Sequence, residues 1–172
     1  MPILTQPDLE HLFGDFSWHD DPKRKGAVIV SPEWIAANLA RITPPFPLHD
    51  GLGRPIRLIA VHHLIAPRLE ALLADLHRSH LEHLLGTWDG CWCARHTRWK
   101  PGKPLSHHAW AIALDINARA YPYGSHHRQD QRLIDLFALH GFLWGGDWHT
   151  PDPMHFEISA AAAGHDHRAL SS

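Results

Sequence analysis

"SHHAWAIALDIN", residues 106–117, is the stretch that decides how this chain reads. From Trp110 onward large and small side chains alternate, with Ile112, Leu114 and Ile116 on one face and Ala111, Ala113 and Asp115 on the other, the two-residue period of a strand. A strand over 106–117 would aim Asp115 the same way as two methyl groups. Space is thereby left beside a carboxylate, and the run opens on Ser106, His107 and His108.

A second polar strand lies downstream in "DPMHFEI", residues 152–158. Pro151 and Pro153 forbid a helix just before it, and alternation sets His155 and Glu157 on one face, Phe156 and Ile158 on the other. Asp152 sits on a turn three residues ahead of His155. With His108 and Asp115 the inventory is two imidazoles, one carboxylate and a second carboxylate nearby. Three nitrogen and oxygen ligands with a fourth position open are what a catalytic zinc ion requires, because that position holds the water the metal acidifies.

Around these motifs the chain reads as α+β, a small and mostly antiparallel sheet flanked by helices, since short strands mix with helices without a regular strand-helix repeat. Residues 7–13 predict a short helix stopped by Gly14. Ser31 and Pro32 start another, with Trp34, Ile35, Leu39 and Ile42 as its apolar face and Pro44-Pro45 as its end. "RPIRLIAVHH" (54–63) predicts a strand, whose terminal His62 and His63 are read as packing or hydrogen-bonding residues. Leu69, Leu72, Leu73 and Leu76 line one side of a helix, and Leu133, Ile134, Leu136 and Phe137 mark another over 129–140, closed by Gly141. Residues 86–105 predict a long ordered loop, the kind that lines sites.

The 172 residues predict a single domain. Sixteen Lys and Arg against 18 Asp and Glu leave a formal charge of -2, so no nucleic acid or membrane partner is expected. No segment reads as a membrane span or secretory signal, which predicts synthesis in the cytoplasm. Cys91 and Cys93 are spaced for neither an easy disulfide nor a zinc knuckle, so a metal site at Cys91-x-Cys93-x-x-His96 is not expected. Of the 18 histidines, His107 is expected to face solvent, and His165 and His167 to be surface residues of a polar tail. Glu157 either supports His155 or forms an ordinary salt bridge. Trp88, Trp92, Trp99, Trp110, Trp144 and Trp148 divide between core and a substrate-facing rim.

Ser106-x-His108-x-x-Ala111-x-Ala113-x-Asp115, followed by Asp152-x-x-His155-Phe156, resembles the zinc peptidases that include D-alanyl-D-alanine carboxypeptidases, D-alanyl-D-alanine dipeptidases and phage L-alanyl-D-glutamate endolysins. "TWDGCWCARHTRW" and "GFLWGGDW" resemble that family's flanking segments, extending the likeness over residues 86–158. One departure is Ala111, where the family carries Gly, and its methyl is expected to narrow the pocket. The resemblance implies a Hedgehog/DD-peptidase-like fold and a zinc ion (Zn2+) held by His108, Asp115 and His155. It implies Asp152 as general base, and Arg95 or Arg98 facing the oxyanion or a substrate carboxylate, Arg95 before Arg98. It implies hydrolysis of the peptide stem of peptidoglycan. The endolysin-like L-alanyl-D-glutamate cut by a monomer that reaches the wall through a phage-type pore comes first. D-alanyl-D-alanine carboxypeptidase activity, or a non-catalytic zinc-containing binding module, is the alternative.

Overall fold

The structure, a computed structural model, is described for residues 3–164, so His165 and His167 lie outside the described residues. In chain order the elements are α1 (Gln6–Phe13), the hairpin β1 (Trp18–Asp20) and β2 (Val28–Val30), α2 (Pro32–Asn38), β3 (Leu39–Ile42), β4 (Leu48–His49), β5 (Pro55–Ile56), β6 (Ile59–His62) and α3 (Ala66–Arg78). β7 (Trp88–Gly90), β8 (Ala113–Ile116), α4 (Gln131–Leu139), β9 (Phe142–Trp144) and β10 (His155–Ile158) follow. β7, β8, β10 and β9 form a four-stranded sheet in that order, and every named pairing is antiparallel. The α+β reading with small antiparallel sheets therefore holds. No helix among the described residues is long and apolar enough to cross a membrane.

The core forms where the predicted stripes meet. Leu69, Leu72, Leu73 and Leu76 of α3 and Leu133 and Phe137 of α4 are fully buried, which by area removed from water is worth about 1.5–3 kcal/mol for each large side chain. Phe137 packs on Phe156 of β10 with ring centroids 4.2 Å apart. α4 begins where Asp130 accepts a hydrogen bond from the Arg132 amide at 2.9 Å, and Gly141 ends it at a φ of 81°.

Four expectations are corrected. The strand over 106–117 shortens to β8, because His107–Trp110 coil into a 3-10 turn. Turn bonds from the Ala109 amide to the Ser106 carbonyl (2.8 Å) and from the Ala111 amide to the His108 carbonyl (3.1 Å) replace the ladder there. Ala111 closes the turn in the left-handed region, φ 55° and ψ 39°, and is buried away from the cleft described below. Its methyl therefore acts on the backbone rather than the pocket: Gly adopts this conformation freely, whereas a side chain costs about 1–2 kcal/mol.

The helix starting at Pro32 stops at Asn38, and Leu39 and Ile42 instead pair in β3 with His62 and Ile59 of β6. The partner strand overrides local periodicity. The 54–63 strand divides into β5 and β6. Finally, the 86–105 loop contains β7, whose Trp88 pairs with Ile116 at the sheet edge.

His62, the last residue of β6, is fully buried against the end of α1, as the packing reading required. Its Nε2 lies 3.1 Å from the Phe13 carbonyl, and its Nδ1 accepts from the Leu64 amide at 3.2 Å. A carbonyl only accepts and an amide only donates, so the ring is held neutral. Burial pulls its pKa down to about 4. The unfolded chain takes up this proton near pH 6.5, so stability falls as pH drops from about 6.5 to 4 and this contribution levels off below. The loss attributable to His62 is expected to reach about 3 kcal/mol. Denaturant titrations of parent and His62→Gln at pH 7 and pH 4 check it: the variant should lose this share of the slope.

Candidate metal centre

The register of β8 and β10 sets His155 directly opposite Asp115, and Glu157 opposite Ala113. Phe156 and Ile158 turn into the core, so the polar pair occupies the other face of β10. His108 arrives from the 3-10 turn rather than a strand. Its carbonyl accepts from the Cys93 amide at 3.0 Å, and its Nδ1 lies 2.7 Å from the Cys91 carbonyl. That carbonyl can only accept, so Nδ1 carries the proton and Nε2 presents a lone pair.

Nε2 of His108 stands 3.2 Å from Nδ1 of His155 and 3.2 Å from Oδ2 of Asp115, and the same Nδ1 is 3.0 Å from Oδ1 of Asp115. Bonds of about 2.0–2.1 Å in a tetrahedron put neighbouring ligand atoms about 3.3 Å apart, so the triad has the spacing of three zinc ligands. Nε2 of His155 is 3.1 Å from Oε2 of Glu157, which leaves Nδ1 as the atom directed at the other two. The donor set therefore fits a divalent ion. Among the described residues, His108, Asp115 and His155 are the group whose ligand atoms gather within 4.8 Å.

Burial works against a charged His155, but hydrogen bonds to Asp115 and Glu157 outweigh it and push its pKa up to about 10. Burial likewise opposes ionised Asp115, yet His108 and His155 hold it well below the carboxylate range. A cation at the triad would compete with a proton on His155.

Asp152 sits beside the triad on its turn, its amide donating to the Gly145 carbonyl at 2.9 Å and its own carbonyl accepting from the His155 amide at 3.0 Å. A Cβ at Gly145 would stand 2.7 Å from the Asp152 carbonyl oxygen, so the close approach requires glycine. Burial raises the Asp152 pKa, and its Oδ1 is buried without a protein partner.

A cleft of about 500 Å³ opens over this face, and Asp152, His155, Arg95, Arg98, Ser106 and His107 all line it. The Arg95 guanidinium lies over the Trp99 ring at 5.5 Å, and that of Arg98 over Tyr123 at 4.5 Å. Trp99 and Trp148 form part of the rim, while Trp88, Trp110 and Trp144 are core.

His107 corrects the expectation of a solvent-facing side chain: it is 15 % exposed, with Nδ1 2.6 Å from Oε2 of Glu157. Its partner comes from β10, fifty residues on, and only the "H-H" doublet and the polar face of β10 hinted at it. Oε2 of Glu157 thus stands against two imidazoles, His107 at 2.6 Å and His155 at 3.1 Å. Cys91 and His96 are engaged elsewhere. Cys91 donates to the Ala111 carbonyl at 3.5 Å, whereas His96 turns away to Asp20 Oδ1 (2.7 Å) and the Lys103 carbonyl (2.6 Å). The β2 end of the hairpin is bonded to the same segment through Val28 to Ala94 (3.0 Å) and His96 to Gly26 (2.8 Å).

A family model described as D-alanyl-D-alanine carboxypeptidase matches residues 100–158. The resemblance carried by the Ser106 and Asp152 motifs is thus shown for that segment, which holds the triad and Asp152 and excludes Arg95 and Arg98. No curated protein and no solved structure matches the chain.

Zinc at about 100 times its dissociation constant is expected to add about 2.7 kcal/mol to the unfolding free energy. His108→Ala and His155→Ala should abolish the gain. Calorimetric melts with and without zinc check this, and a parent melting temperature indifferent to added divalent metals would remove metal binding from the site.

Proposed function

We propose that this chain is a zinc metallopeptidase that hydrolyses the peptide stem of bacterial peptidoglycan, cutting between L-alanine and D-glutamate as endolysin-like enzymes do. The observation that carries this reading is the convergence of His108, Asp115 and His155 at 3.0–3.2 Å beneath a cleft that also holds the unpartnered Asp152 carboxylate. It lies within the segment matched by the carboxypeptidase family model. A monomeric single domain with the Hedgehog/DD-peptidase fold belongs to the same proposal.

His108 and His155 would hold the ion through Nε2 and Nδ1, with Asp115 as the charged third ligand. When bound, zinc supplies Lewis-acid polarisation of the scissile carbonyl and lowers the pKa of a coordinated water to about 7. Asp152 then accepts the proton of the attacking water and returns it to the departing amine nitrogen. Its raised pKa suits a group that must first take and then release that proton. Arg95 and Arg98 offer planar donors to the oxygen on which charge develops or to a substrate carboxylate.

Trimming of a terminal D-alanine is the second reading, favoured by the description of the matched family. Mass spectrometry of muropeptides with a complete pentapeptide stem separates the two. Loss of one D-alanine marks a carboxypeptidase, a cut after L-alanine an endopeptidase, and intact stems with zinc bound favour a binding module. Asp152→Ala is expected to keep metal and fold while lowering kcat by about 10²–10⁴. Parental turnover in that variant would remove Asp152 from the mechanism.

A further inference from the structure

Glu157 is a 2 % exposed carboxylate for which the proposed reaction assigns no step. One of its oxygens, Oε2, meets two imidazoles: Nε2 of His155 at 3.1 Å and Nδ1 of His107 at 2.6 Å. The other, Oε1, is buried without a protein partner, and Glu157 lines the cleft. Burying a carboxylate costs several kcal/mol unless it is well paired, so a residue serving only to fill this position would more simply be apolar. Both imidazoles belong to the site, one through the triad and one through the cleft wall.

The His107 geometry defines what its ring offers. Nδ1 is buried and stands 2.6 Å from Oε2 of Glu157, an ion-pair contact outside hydrogen-bond geometry. The exposed part of the ring is therefore its other edge, on the cleft that His107 lines. Nε2 on that edge can meet a polar group of a substrate, accepting when the ring is neutral and donating when it is charged. It stands on the same cleft as Arg95 and Arg98, which can only donate. A peptide, with N–H and C=O groups alternating along its backbone, matches a cleft that holds the donors of Arg95 and Arg98 and an imidazole able to serve as either partner.

We propose that Glu157 is a positioning residue that turns His155 toward the metal and His107 toward the substrate, and that His107 hydrogen-bonds the backbone of the bound peptide. This rests on the metallopeptidase reading above. One oxygen holding both rings couples metal binding to substrate alignment: disturbing Glu157 disturbs both, whereas disturbing His107 spares the metal.

The test compares parent, His107→Ala, Glu157→Ala and Glu157→Gln for zinc affinity by chelator competition, for the visible spectrum of the cobalt-substituted protein, and for kcat and KM on stem peptide. Glu157→Ala should weaken zinc binding at least about tenfold and shift the cobalt bands, as loss of a carboxylate behind a ligand histidine does. Glu157→Gln keeps an accepting oxygen but loses the charge, and should bind zinc several-fold more weakly than the parent. His107→Ala should keep zinc affinity and cobalt spectrum while kcat/KM falls about tenfold or more, mainly through KM. Parental zinc affinity and cobalt spectrum in Glu157→Gln overturn the positioning role, even where Glu157→Ala does not fold. Parental kcat/KM in His107→Ala overturns the substrate contact. A parent that binds no zinc fails the metallopeptidase reading itself, a result distinct from both.

Discussion

The pairing of His155 with Asp115 across β8 and β10 is the contact on which the rest of the site depends. A strand alternates faces at every residue, so a slip of one position in this ladder would send Asp115 into the core and bring Leu114 out. The register is held from the apolar side: Phe156 packs on Phe137, and Ile158 and Leu114 are buried with it. Packing on one face of the sheet thus determines which polar groups meet on the other. Glu157, two residues beyond His155, inherits its place from the same register.

The site accumulates features that would be unfavourable in an ordinary core. Three ionisable side chains crowd within hydrogen-bond distance, two carboxylate oxygens are buried without protein partners, and Ala111 holds a left-handed conformation behind them. Each costs free energy that the leucine-lined helices α3 and α4 and the apolar side of the sheet must offset. A cation at the triad would relieve the largest of these costs by giving Asp115 and both imidazoles a common partner.

What was legible in the sequence follows a physical line. α3, α4 and β10 were readable because their apolar periodicity is strong and each buries one clear face. Asp115 was readable for the same reason, as the alternation of β8 places it beside Ala113. The turn that carries His108 was not, because Ser-His-His-Ala-Trp-Ala contains none of the Gly, Pro or Asn that announce a reversal. Leu39 and Ile42 fit a helix stripe and a strand equally well, and only β6 decides between them. The inward turn of His107 depends on a carboxylate contributed from fifty residues away, and no local pattern contains it.

The hairpin of β1 and β2 gives the cleft wall an origin far from the triad. His96 is tied to Asp20 and Val28 to Ala94, and a side chain at Gly26 would collide with the Trp99 backbone. The segment bearing Arg95, Arg98 and Trp99 is thus braced by the first thirty residues, while every residue of the candidate triad lies after residue 100. The matched segment is accordingly not a transplantable module. Grafted alone into another scaffold it would bring the triad side chains without the wall that closes the cleft over them, so in this chain the triad and its cleft have separate structural sources.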